Sequence, residues 1–258
     1  MSRVTDRLNK ENIIELAKQE YDVSQKSTLP SEIIKLASGG KIYPKKHPLS
    51  SGTIEMRYMT AYDEDILTNK SYIDQGIMLD KLIDSLIVTP NITSNDLASV
   101  DKDGLIIQAR ILAYGADYPV TISDPKTGKT LERVVNLSSL KYRDFNLQCD
   151  ESGEFSYEIN TDLTIKFNFI SNKTAKTINE NNPISDLLFN MITQVRDKRD
   201  EETIKKFIRY EFLARDAKQF RKYIENNTPG LILETEFVGE DGSTFTAGFQ
   251  VGADLFWF

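Results

Sequence analysis

Thr53-Ile54-Glu55-Met56-Arg57-Tyr58-Met59-Thr60-Ala61-Tyr62-Asp63 contains the change of period on which the fold turns. Its first six residues alternate polar and apolar, as a strand with one buried face does. Thr60 then opens a helix, and Asp63, three residues on, comes close to a capping box. The cap accounts for the acidic run Asp63-Glu64-Asp65 without a metal, since carboxylates in a first turn offset the helix dipole. Downstream, Leu79, Leu82, Ile83, Leu86 and Ile87 recur at helical spacing, which predicts a helix over Ser71 to Val88, ended by Pro90. A third, largely buried helix is expected over Gly104 to Tyr114, capped by Asp101 or Asp103 and closed by Gly115. Tyr118-Val120-Ile122 and Leu131 to Leu137 then flank the turn Asp124 to Gly128 as a hairpin.

Ser138 to Gly153 has little periodicity and reads as a connector. Beyond it, Phe155-Tyr157-Ile159 and Leu163-Ile165-Phe167-Phe169 alternate on either side of Asn160-Thr161-Asp162, a second hairpin. A helical turn is expected near Thr174 to Asn179. Pro183 opens a helix whose stripe is Ile184, Leu187, Leu188, Met191, Ile192 and Val195. Asp200-Glu201-Glu202 begin a helical region reaching Ile224, with a break near Arg215-Asp216. Leu231 to Val238 and Thr244 to Val251 form a last hairpin across Glu240-Asp241-Gly242.

The first 50 residues read as an arm, extended and helical by turns. An amphipathic helix over Lys10 to Tyr21 carries Ile13, Ile14, Leu16 and Ala17 on one side. A second short helix is expected over Ser31 to Ala37, with Pro30 in its first turn and Gly39-Gly40 as its stop. The whole is an α+β fold of two related modules, each made of antiparallel hairpins and a small helical bundle. The arm spans 1–50, the first module 51–140, the connector 141–153 and the second module 154–258. Shared element order makes Gly52 to Leu140 and Gly153 to Phe258 a structural repeat.

The 258 residues include 32 Lys and Arg, 39 Asp and Glu, one His and one Cys, for a formal charge of -7. That balance disfavours nucleic acid as a partner, and only Lys41 to His47 forms a local basic run. No apolar run approaches bilayer length and no apolar core follows the basic N-terminus, so neither a membrane partner nor a secretory signal is expected. Cys149 alone makes no disulfide, and its thiol fits a reducing compartment. The single His47 sits between Lys46 and Pro48 in a turn-like stretch, which excludes most triad and His-metal chemistry.

Two near-miss motifs fail at required positions. Ser123 to Thr130 ends like a phosphate-binding loop, but position 123 is Ser and the flanks read as strands. Asp101-Lys102-Asp103-Gly104 begins like a calcium loop, but Leu105 and Leu112 stand where ligands belong. No catalytic residue, metal ligand or cofactor is therefore proposed from sequence. The candidate partner-binding residues are the terminal Leu255, Phe256, Trp257 and Phe258, together with Ile13, Ile14 and Leu16 of the arm. The terminal aromatics have two readings: packing on the last hairpin, or filling a partner's groove.

A family resemblance runs through these segments. Leu29-Pro30-Ser31, Gly40-Lys41-Ile42-Tyr43-Pro44, Pro48 to Ala61 and Glu64 to Asn69 resemble the opening of the baseplate hub proteins of T-even-like contractile-tailed bacteriophages. Asp80 to Ile87, Ala109 to Tyr118, Leu213-Ala214-Arg215-Asp216 and the aromatic terminus follow in that family's order. Cys-x-x-Cys pairs, frequent in the family, are missing from the turns Asp124 to Lys129 and Gly239 to Ser243, so no zinc knuckle is expected. The resemblance implies a non-enzymatic structural protein of the tail, acting in virion assembly through contacts with other tail and baseplate proteins, as an oligomer within that assembly. It would reside in host cytoplasm during assembly and in the tail baseplate if retained. The alternative is a transient chaperone, for the tape measure or another hub subunit, that is absent from the mature virion.

Overall fold

The computed structural model describes residues 29–257. Strand β1 (Ser31–Lys35) pairs antiparallel with β2 (Thr53–Arg57), Ile33 standing opposite Glu55. The helix expected over Ser31 to Ala37 is therefore a strand. Pro30 suits the first turn of a helix, but Ile33 and Ile34 are β-branched, and pairing with β2 decides the local conformation. The loop between the strands is pinched shut by glycine. Gly40 and Gly52 have φ of 77° and 76°. A Cβ on Gly40 would lie 2.6 Å from the Gly52 nitrogen, so no larger residue fits.

Helix α1 (Ala61–Thr68) starts with the expected box: the Asp63 carboxylate accepts from the Thr60 amide at 2.7 Å and its hydroxyl at 2.9 Å. The single helix expected over Ser71 to Val88 is two, α2 (Lys70–Asp74) and α3 (Met78–Leu86), divided at Gly76 with φ 67°. The periodic face survives on α3, where Leu82, Ile83 and Leu86 are fully buried. Helix α4 (Ser99–Tyr114) begins earlier than expected and buries Leu105, Ile106, Ile107 and Ala109. Strands β3 (Asp117–Ser123) and β4 (Thr130–Asn136) form the expected hairpin, Tyr118 opposite Val135.

In the second half, β5 (Phe155–Asn160) and β6 (Leu163–Phe167) pair as expected, and a third strand joins them. After α5 (Asn172–Ala175), helix α6 (Pro183–Met191) stops short, and β7 (Ile192–Val195) lies antiparallel to β6. Ile192 and Val195 fit a helical stripe by spacing, but as β-branched residues they also suit a strand, and the open edge of β6 takes them. Helix α7 (Glu201–Lys206) is capped by Asp200 and runs into a π turn over Phe207–Glu211. There the Phe212 amide bonds the Phe207 carbonyl at 2.8 Å. The chain breaks at Phe212-Leu213, ahead of the place expected, and continues as α8 (Ala214–Asn227). Strands β8 (Glu234–Val238) and β9 (Thr244–Gly248) close the expected final hairpin.

Helices and small antiparallel sheets together make the fold α+β. One hydrophobic cluster extends from Leu49, Ile54 and Met56 through Leu105 to Phe155, Phe167, Phe220 and Leu255. Phe155, Phe167, Phe169 and Phe220 meet at centroid distances of 5.3 to 5.9 Å, mostly edge to face. Gly153, with φ 82°, presses against Pro44, where a Cβ would fall 2.8 Å from the proline nitrogen.

Candidate interaction surfaces

Three buried carboxylates set the frame on which the surfaces stand. Asp63 receives both terminal nitrogens of Arg57, at 2.7 and 2.8 Å, and the Ser85 hydroxyl at 2.7 Å. Burial pushes its pKa up, but Arg57, Ser85 and Thr60 more than offset this and hold it below the usual aspartate value. Asp101 is also fully buried, but its donors are neutral: the Ser38 amide at 2.7 Å, the Ser38 hydroxyl at 2.8 Å and the Tyr43 hydroxyl at 2.7 Å. There burial prevails over the hydrogen bonds and the carboxyl is raised. The Tyr43 oxygen accepts from the Ala98 amide at 2.9 Å, so the loop between β1 and β2 is tied to the start of α4. Neither Asp101 nor Asp103, the expected caps, caps the helix, whose N-cap is Ala98; Asp101 instead anchors a segment 63 residues away.

Asp80, on α3, joins the halves. Lys176 and Lys102 approach it at 2.5 and 3.1 Å, and the Asn172 amide donates at 2.9 Å. Burial raises this carboxyl less than those partners lower it. The Asn172 amide nitrogen also reaches the Ser94 carbonyl at 3.2 Å, and its backbone N–H bonds the Leu97 carbonyl at 2.7 Å. Arg110, inside the C-terminal half of α4, donates to the carbonyls of Gly115 and Asp117, which fixes the angle at which β3 leaves the helix. Sequence alone marked none of these long-range partners. The only signal was the presence of Asp, Arg and Lys at positions that periodicity assigns to buried helix faces.

The candidate residues divide. Leu255 and Phe256 lie in a short 3-10 turn, Ala253–Phe256, packed on α4, with exposures of 0% and 3%. Trp257 is 47% exposed. Phe258, Ile13, Ile14 and Leu16 lie outside the described residues, as does the helix expected over Lys10 to Tyr21. His47 caps a 3-10 turn through Nδ1, which accepts from the Leu49 amide at 3.3 Å, and it stacks on Tyr43. Asp124 to Lys129 is a hairpin turn held by the Asp124 carboxylate on the Lys126 and Thr127 amides. Among the described residues, no group of three His, Cys, Asp or Glu side chains gathers as metal ligands would, and no helix is long and apolar enough to cross a membrane.

Two concavities border α6. An apolar one of about 310 Å³ opens between the start of α4, Phe169-Ile170, α6 and α8, with Arg221 and Glu225 among its walls. A polar one of about 470 Å³ lies between α6 and the π turn, lined by Asp186, Phe189, Lys205 and Arg209. Tyr210 on the π turn, Ile184 on α6 and Leu213 just ahead of α8 are all exposed. Large apolar side chains held at the surface beside cations suit protein contacts. The two hairpin tips, meanwhile, are joined by ion pairs, Lys129 to Glu240 at 2.7 Å and Lys126 to Asp241 at 3.3 Å. The Ser243 hydroxyl and amide hold the Asp241 carboxyl down to about 2.

A family model described as T4 bacteriophage base plate protein matches residues 31–235, well over half of the chain. The match takes in β1 through α8 and every buried carboxylate described above, and ends two residues into β8. No curated protein matches the chain, and no solved structure does.

Proposed function

The chain belongs to the T4 bacteriophage base plate protein family, and from that premise we propose that it is a non-enzymatic hub component, acting in tail assembly through contacts with other baseplate proteins. The observation that carries the reading is the family match over residues 31–235. Membership implies a structural role in the phage baseplate; placement at the hub is the finer step. It is supported by the ordered resemblance of Leu29 to Asn69 and of the later segments to hub proteins. The proposed contacts are the exposed Trp257 with Phe258, the arm residues Ile13, Ile14 and Leu16, and the surface around Tyr210 and Leu213. The division into arm, first module, connector and second module belongs to the same reading. Its support is the order of strand, helices and hairpin, met in β2 through β4 and again from β5 to β9.

Mass spectrometry of purified tails, separated into central and peripheral baseplate fractions, tests this. The chain should be found at fixed stoichiometry in the central fraction. Absence from finished tails, with presence in assembly intermediates, replaces the reading with the transient chaperone. Recovery with the peripheral fraction removes the hub placement and leaves the family assignment intact.

A further inference from the structure

Strand β1 has one edge in use and one open. The Tyr58 amide bonds the Pro30 carbonyl at 2.9 Å and the Leu36 amide bonds the Gly52 carbonyl at 2.9 Å. With the register Glu32 to Met56 and Ile34 to Ile54, these bonds make the even-numbered residues the ones whose backbone groups face β2. The N–H and C=O of Ser31, Ile33 and Lys35 therefore point away from the sheet. Among the described residues no strand pairs there. Ile33 is 76% exposed, and Ser31, Glu32 and Lys35 are exposed beside it. The far edge of β2 is closed by contrast: Glu55 receives the Val88 amide at 2.9 Å and gives its own amide to the Thr89 hydroxyl at 2.9 Å. An open edge with an exposed β-branched residue at its centre is a template for strand addition.

We propose that this edge forms a two-fold dimer, β1 pairing antiparallel with β1 of a second copy of this chain. A two-fold axis through Ile33 sets Ile33 opposite itself and Ser31 opposite Lys35 of the second copy. That register uses the outward N–H and C=O of all three residues on both strands, because odd positions meet odd positions. The side chains agree with it. Ile33 packs on Ile33 of the second copy, a β-branched pair across neighbouring strands. On the same face, the Ser31 hydroxyl donates to the Glu55 carboxylate at 2.5 Å. The ammonium of the facing Lys35 thus arrives beside an acidic group, and the two-fold axis repeats the match at the other end.

Sedimentation of the full chain over a range of concentrations is the first measurement, with a monomer–dimer equilibrium expected. Ile33→Pro deletes an outward amide and leaves every amide of the β1–β2 ladder, so the monomer keeps its unfolding midpoint. It should weaken dimerisation by roughly tenfold or more, since two symmetry-related hydrogen bonds are lost. In a Cys149→Ser background, Ile33→Cys should cross-link to its own copy under mild oxidation, because directly opposed residues have Cα atoms about 5.5 Å apart. Ser31→Cys should not, as the register sets it well away from its own copy. A chain that stays monomeric overturns the proposal, as does a dimer unaffected by Ile33→Pro. An Ile33 amide protected from exchange in a monomer also overturns it, by assigning the edge to another segment such as residues 1–28.

Discussion

Asp63 and Asp101 each stand third in a helix, α1 and α4, and each has no exposed surface, yet they are held in opposite ways. Around Asp63 the chain supplies a cation, Arg57, from the end of the neighbouring strand. Around Asp101 it supplies only neutral donors from the loop between β1 and β2. One carboxyl titrates below the usual aspartate value and the other above it. The same residue at the same helical position is thus an ion-pair partner in one region and a costly buried charge in the other. What decides is the element that crosses the helix end.

The largest expected effect comes from removing the cation. Arg57→Met leaves Asp63 buried without its counter-charge and should cost about 3–5 kcal/mol in denaturant unfolding. A cost below about 1 kcal/mol would erase the distinction between the two sites. Next is Ser38→Ala, which takes one of the neutral donors from a carboxylate that has no cation to fall back on. A loss of about 1.5–3 kcal/mol is expected, the usual range for a hydrogen bond to a charged group. The matched change at the other site, Ser85→Ala, should cost less, about 1 kcal/mol or under, because Arg57 still holds Asp63. Equal costs for the two serines would mean that charge pairing does not separate the sites.

Unfolding measured against pH sharpens the contrast through its sign. Asp63 is lowered on folding, so its stabilising share is present above the usual aspartate pKa and is lost as pH falls through the depressed value. The gap between wild type and Asp63→Asn should narrow in acid. Asp101 is raised, so its share is full at low pH and is lost as pH rises through the elevated value. The gap between wild type and Asp101→Asn should widen as pH falls from neutrality. Parallel slopes for the two variants would contradict the assignments.

How much of this was legible beforehand follows the distance between partners. Thr60 and Asp63 are three apart and gave the cap correctly. Val120 and Ile122 gave a hairpin because turn and strands are contiguous. Asp101 was recognised as belonging to the helix start, but Ser38 and Tyr43 could not be foreseen as its partners, and Asn172 could not be foreseen beside Asp80. The local errors share a cause. Ser31 to Lys35 had a proline where a helix would want one, and Ile192 and Val195 continued a helical stripe; in both places an open strand edge outcompeted the local signal. At the candidate site, the aromatic terminus stands out by composition. The split between buried Leu255 and Phe256 and exposed Trp257 depends on where the last turn meets α4, which composition does not encode.

The junction at Asp80 also sets a timetable. Asn172 follows Asp80 by 92 residues, and Lys176 follows later still. A ribosome adding about 5–20 residues per second delivers those partners roughly 5–20 s after the aspartate. Until then, α3 and α4 can associate, but the carboxylate beside Lys102 has to remain hydrated. The contacts of Asp80 with Asn172 and Lys176 therefore form only late in synthesis, after the partners that meet at Pro44 and Gly153 have both been made.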